Sequence, residues 1–151
     1  MTGLRKIGLF LVIIFLVIQF IQPVRNVSTG TDDDDISRTY LMPPIVHRTL
    51  AEKCYDCHSN NTRYSWYFSI QPIGWWLASR VYEGKARLNF SDFKKYSADQ
   101  ARQKLERIVG ITDGGSLHLK SYSLLYPGLQ INREDARAIH AWVQTRLTAT
   151  D

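Results

Sequence analysis

The chain has 151 residues, 44% of them hydrophobic and 22% charged, with 19 Lys plus Arg against 14 Asp plus Glu for a formal charge of +5. These proportions suit one globular domain with a short appendage and exclude wholesale disorder. With 2 cysteines a multi-disulfide scaffold and a four-thiolate zinc site are excluded, and no Gly-rich phosphate loop, GxSxG or HExxH signature is present.

Arg5 and Lys6 precede an apolar run, Ile7 to Ile21, interrupted by Gly8 and Gln19 and closed by Pro23 and Arg25. A basic start before an apolar core serves either a secretory signal peptide or an uncleaved anchor. The residues on offer for cleavage, Gln19 to Pro23, are large or rigid, which favours the anchor, and no Cys follows for lipid modification. The run is short against the ~20 residues that span a bilayer. Counting from Leu4 to Gln22, with Arg5 and Lys6 reaching back to the headgroups, brings it near the minimum. The expectation is a transmembrane anchor or signal peptide over residues 1–25, basic end in the cytoplasm, in a single-pass inner-membrane protein with its bulk on the periplasmic side.

Residues 26–39 read as an acidic linker, because Asp32 to Asp35 repel each other and resist packing. The run lacks the alternating spacing and the Gly of an EF-hand loop. Beyond it the chain is basic, which suits docking on an acidic redox partner or anionic headgroups. The basic residues are scattered, so nucleic acid is not indicated.

Residues 40–151 form the exported domain. Pro43-Pro44 opens a helix over Ile45 to Tyr55, with Ile45, Val46, Leu50 and Ala51 at helical spacing and His47 facing solvent. Asn60-Asn61-Thr62 is a turn. Pro72 starts a helix that carries Trp75, Trp76, Leu77 and Val81 to about Arg87, with Gly84 as its weak point. Ser97 caps Ala98 to Ile108, and Asp113-Gly114-Gly115 ends that stretch. Asn132 caps the last helix, with Asp135 approximating a capping box. Its stripe of Ala136, Ile139, Trp142, Val143 and Leu147 is expected to pack across the first helix. No strand pattern stands out, so the fold class is all-α.

Cys54-Tyr55-Asp56-Cys57-His58 carries the chemistry. Two thiols at i and i+3 lie on one face of a helical turn and reach the two vinyl groups of a porphyrin; the following His can ligate its iron. CxxCH is the c-type haem attachment spacing. A disulfide, a dithiol redox pair and a zinc site are the alternatives. The dithiol pair lacks its βαβ context, and His47, His118 and His140 match no zinc-finger spacing. Trp66, Tyr67, Trp75 and Trp76 are either haem wall or ordinary core.

The stretch from Cys54 to Arg63, with Ser65-Trp66-Tyr67, Ile70 to Leu77, Glu83-Gly84-Lys85 and Leu88-Asn89-Phe90-Ser91, resembles the haem-binding domain family of small membrane-anchored, cytochrome-c-like proteins of Bacteroidetes-type bacteria. Lys120-Ser121-Tyr122 and Trp142 continue the likeness. The resemblance implies a cytochrome-c-like monohaem helical domain with one covalent haem c per chain, held by Cys54 and Cys57 with His58 as proximal ligand. The family usually reads Met-Pro-Leu where this chain has Leu117-His118-Leu119, so the expected methionine ligand is missing. His118 is the nearest replacement and would make a bis-His site of lower potential. Met42, the other methionine beyond Met1, lies upstream on a Pro-stiffened approach; His140 and an open sixth position also stand. The expected function is one-electron transfer by a membrane-tethered carrier with a redox protein partner, rather than an enzyme. A small-ligand sensor, a peroxidase-like protein (with Arg63, Arg80 or His118 as distal group) and a dithiol protein are the competing functions.

Overall fold

The computed structural model describes residues 3–113 and 130–148. Helix α1 covers Gly3–Ile18, and none of its residues is buried. It stops short of Gln22 because Gln19 turns its amide to other work: Nε2 donates to Phe15 O at 2.8 Å and to Gln71 O at 3.2 Å, and Oε1 accepts from Gln71 N at 2.9 Å. Among the described residues no helix is long and apolar enough to cross a membrane.

The acidic run does not behave as a solvated tether throughout. Asp35 is buried and caps a short helix, α2 (Ile36–Thr39), accepting from Ser37 N at 2.8 Å. Its carboxylate also accepts from Tyr55 Oη at 2.8 Å, and Ile36 enters the core. One carboxylate among four thus has partners enough to leave water.

Pro44 sits in the first turn of α3 (Pro44–Lys53), where a missing N–H costs nothing. The helix ends at Lys53 rather than running through Tyr55, because Cys54 leaves helical geometry at φ −123°. A single turn, α4 (Tyr55–His58), follows. A 3-10 turn at Trp66–Ser69 leads through a cis Gln71–Pro72 bond to α5 (Ile73–Arg87), and Asn89 caps a second 3-10 segment at Phe90–Lys95. Neither 3-10 segment has a periodic signature in the sequence. Helix α6 (Ala98–Asp113) starts on a reciprocal cap: Gln100 N donates to Ser97 Oγ at 3.3 Å, and Ser97 N to Gln100 Oε1 at 3.1 Å. It runs five residues past the expected Ile108. The last helix, α7 (Arg133–Thr148), begins where Asp135 N donates to Asn132 Oδ1 at 2.7 Å. The described residues hold helices and no strand, as the all-α expectation has it.

Helix α7 packs on both α3 and α6. The main core gathers Val46 and Leu50 of α3, Phe90 and Phe93 of the 3-10 segment, Leu105 and Ile108 of α6, and Ile139, Trp142 and Val143 of α7. A second cluster is built on Phe68 and Leu77. Asp135 does not complete a capping box; its carboxylate instead takes Lys53 Nζ at 3.0 Å, with both side chains largely buried. Burial alone would raise the Asp135 carboxyl, but hydrogen bonds from Lys53 and Thr49 and the charges of Lys53 and Arg48 outweigh it and hold the group below the usual carboxylate range. A depressed folded pKa lends stability above the unfolded value, about pH 4, and that stability is lost as pH falls further. Asp135→Asn is therefore expected to cost about 2 kcal/mol near neutrality. Measured by denaturant melts, the difference from the natural chain should shrink below about pH 4. Equal stabilities at neutral pH would show that the pair contributes nothing.

Candidate functional site

Cys54, Cys57 and His58 line one cleft of about 980 Å³, counting the space open to solvent. The cysteines come together because α4 is a true helical turn: Cys57 N and His58 N both donate to Cys54 O, at 3.2 and 3.0 Å. Residues three apart then share a face. The far wall is apolar and comes from both clusters, with Phe68 and Leu77 on one side and Leu88, Phe90 and Ile108 on the other. The cleft lies between the two cores of the domain.

Two contacts hold the turn in place. Asp56 accepts from Arg63 N at 3.1 Å and from Arg63 Nε at 2.9 Å, while Arg63 Nη2 donates to Ala51 O and Glu52 O at the end of α3. On the other side the Cys57 backbone rests on α5 at Gly84, where a Cβ would stand 2.5 Å from Cys57 O.

His58 is oriented by a backbone group. Its Nδ1 lies 3.0 Å from Leu88 O. A carbonyl only accepts, so the proton sits on Nδ1 and Nε2 becomes the ring's electron-pair donor, the arrangement of metal-ligating histidines. Leu88 is in turn held by bonds from its neighbour. Asn89 N donates to Tyr96 Oη at 2.9 Å, and Asn89 Nδ2 to Asn60 Oδ1 at 2.8 Å and Asp92 Oδ2 at 2.6 Å. Asn60 N donates to Ser91 Oγ at 3.1 Å. The residues after the CxxCH turn and those after α5 are thus laced together around the imidazole. Phe90 meets the His58 ring edge-on at 6.1 Å between centroids and stacks on Tyr55 at 5.0 Å.

The two thiols are not set up for exchange chemistry. Burial first, then the charge of Cys57, pushes Cys54 up to about 12 against the opposing pull of Lys53. Burial, with help from Asp56, pushes Cys57 up to about 11. Dithiol oxidoreductases keep a thiolate by lowering this value, so the environment here is the opposite one.

The other expected site residues fall elsewhere. Trp66 is 78% exposed. Tyr67 and Trp76 pack on the Phe68–Leu77 cluster, and Trp75 Nε1 donates to Ile21 O at 2.8 Å. None of the four is among the residues that line the cleft. On α5 the cleft face belongs to Leu77 and Val81, and at about 100° per residue Trp75 and Trp76 point off it. The aromatic walls are Tyr64, Phe68 and Phe90 instead. Met42 lines a separate groove with Leu41, Pro43 and Trp142, because Pro43 and Pro44 turn that segment toward α7. His140 Nε2 lies 2.8 Å from Thr112 Oγ1, and Thr112 is at the cleft. His47 is exposed. His118 lies outside the described residues. Arg63 pairs with Asp56 and α3, Arg80 with Glu83 at 3.0 Å and the Trp76 ring, and neither is among the residues that line the cleft. The described residues hold no cluster of three His, Cys, Asp or Glu suited to a metal ion, as a zinc site would require.

A family model described as "Haem-binding domain" matches residues 13–145. No curated protein and no solved structure was found to match the chain. The residues of the cleft fit such a group: an apolar slot between two core clusters, a His with its Nδ1 held by a carbonyl, and two thiols on one face.

Proposed function

The chain belongs to the haem-binding domain family, and from that premise we propose that it is a c-type haem protein, tethered to the membrane with its haem domain on the periplasmic side, that carries one electron. Cys54 and Cys57 would hold one haem through thioether links, and His58 would supply an imidazole ligand to its iron. The observation that carries this reading is the meeting of both cysteines and the Leu88-oriented imidazole in one apolar cleft. The bound group would supply a metal that changes oxidation state by one electron. The chain's own part is to hold it. Leu88 O fixes the imidazole tautomer, Phe68, Leu77 and Phe90 exclude water, and Arg63 locks the turn through Asp56. Raised thiol values at Cys54 and Cys57 weigh against the dithiol function. The engagement of Arg63 and Arg80 weighs against a peroxidase.

Leu117-His118-Leu119 stands where the family usually has a methionine, and we propose His118 as the residue that would complete the iron's ligation. The test is one spectrum on full-length protein made in a host competent for c-type maturation. Low-spin bands indifferent to CO are expected from the natural chain, and His118→Ala should convert them to a high-spin, CO-binding form. A natural chain that is already high-spin and binds CO would replace the carrier by a ligand-binding protein. An unaltered low-spin spectrum in the variant would remove His118 from the site.

A further inference from the structure

An anchor ending at residue 25 followed by a solvated linker from residue 26 would leave the domain loosely held, and the hydrogen bonds of residues 19–28 are at odds with that. Gln22 Nε2 donates to Ser69 O at 3.1 Å and Gln22 Oε1 accepts from Gln71 Nε2 at 3.1 Å, beside the paired Gln19–Gln71 bonds and the Trp75–Ile21 bond. Gln71 is fully buried in this clamp. Further on, Asn26 Nδ2 donates to Ser59 O and Thr62 Oγ1, both at 2.9 Å, Thr62 N to Asn26 O at 3.0 Å, and Ser28 N to Asn61 Oδ1 at 2.8 Å. Residues 19–28 are stitched to the domain along their whole length, ending on the residues that follow the CxxCH turn.

The surface they join is apolar and exposed. Phe20, Ile21 and Val24 are 89%, 59% and 92% exposed. Beyond residue 27 the large exposed hydrophobics among the described residues are Leu41, Trp66 and Tyr82. Two of those three adjoin the stitched segment. Trp66 opens the 3-10 turn whose Ser69 O takes Gln22, and Tyr82 shares a groove with Val24 and Arg25. Arg25, itself exposed, lies over the rings of Tyr64 and Phe68. An exposed Trp, and an exposed Tyr that shares a groove with Arg25, match the water–lipid boundary.

Length points the same way. A helix of 16 residues rises about 24 Å, and with Arg5 and Lys6 in its first turn its apolar part falls further short of about 30 Å of hydrocarbon. In a membrane, Phe20 and Ile21 would extend the apolar stretch, which would draw whatever is bonded to them toward the headgroups.

We propose that residues 19–28 form a rigid strut that seats the haem domain on the bilayer through Trp66, Tyr82 and the Phe20–Val24 edge, with phospholipid headgroups as the partner of that face. This deepens the tethered-carrier reading and rests on it. It makes the haem domain's orientation to the membrane fixed rather than free.

The test uses full-length holoprotein in vesicles of phosphatidylethanolamine and phosphatidylglycerol, with a nitroxide on one introduced thiol at a time, at Val12→Cys, Trp66→Cys or Gln103→Cys. Collision with oxygen against a nickel chelate reads depth. The expected ratio is high at Val12, several-fold above the Gln103 value at Trp66, and low at Gln103, which is exposed on α6. Adding Gln19→Ala and Gln22→Ala should send the Trp66 label back to the aqueous value while Val12 stays in lipid. A Val12 label in lipid with an aqueous Trp66 label overturns the seating alone. Aqueous values at both overturn the membrane reading with it. A Trp66 label unmoved by loss of the two glutamines overturns the strut.

Discussion

Replacing Cys54 and Cys57 together with alanine is expected to abolish covalent haem attachment. Both residues line the cleft and share one face of a single helical turn, so each thioether needs its own sulfur at its own place. The readout is the mass of the denatured protein and the fate of its colour in acidified organic solvent. The natural chain should carry the haem on the polypeptide, and the double variant should match its bare sequence. A natural chain that runs at polypeptide mass when matured in a competent host sinks the c-type assignment, though not the family. Stability should fall in the variant as well. The cleft separates the Phe68–Leu77 cluster from the main core, and an unfilled apolar slot forfeits contacts on both of its walls. A thermal midpoint well below that of the holoprotein is the expected companion result.

Gly84→Ala should damage the same site from behind. An alanine Cβ would lie 2.5 Å from Cys57 O, 3.2 Å from Cys57 C and 3.3 Å from Cys57 Cβ. The first of these is backbone, which has no rotamer to escape into. In an exposed helix the change from Gly to Ala would stabilise by up to about 1 kcal/mol. Here α4 has to move off α5, and overpacking of this kind costs about 1–3 kcal/mol. The displacement also reaches His58, because Leu88, the residue that caps α5, holds the imidazole through its carbonyl. Gly110→Ala is the matched comparison: it lies in α6, is exposed, and its Cβ would meet nothing within 4 Å. Thermal melts of the two holoproteins should move in opposite directions, with poorer haem incorporation for Gly84→Ala alone. Equal behaviour of the two variants would mean that the close approach of α4 to α5 has no energetic weight.

The contrast between these two glycines shows what a sequence conceals. Both lie inside helices, α5 and α6, where glycine is ordinarily a weak point. Only the position of the Cys57 carbonyl, 27 residues away in the chain, separates a required glycine from a replaceable one. Asp35 is similar. In a run of four carboxylates nothing distinguishes it, yet it alone caps α2 and accepts the Tyr55 hydroxyl. Whether Trp66, Tyr67, Trp75 and Trp76 are haem wall or ordinary core could not be read from spacing, because helical spacing gives a face only after one knows which face is occupied. Leu77 and Val81 take the cleft and turn Trp75 toward Ile21. A usable hint was present for Tyr64 and Phe68, which flank the exposed Trp66 on a stretch rich in rings, but ring content alone does not rank them.

The features legible along the chain are short in range. The Cys54–Cys57–His58 spacing, the caps at Ser97 and Asn132, the stripe of α7 and the all-helical class all arise from interactions between residues at most a few positions apart, where backbone geometry leaves few choices. Tertiary structure decided the rest: Leu88 O on His58, α4 seated on Gly84, Lys53 paired with Asp135, and residues 19–28 bound to the domain instead of trailing from it. Each of these joins residues at least 25 positions apart. Such a contact is worth only a few kcal/mol. It is chosen by how whole helices pack together, which no local pattern records.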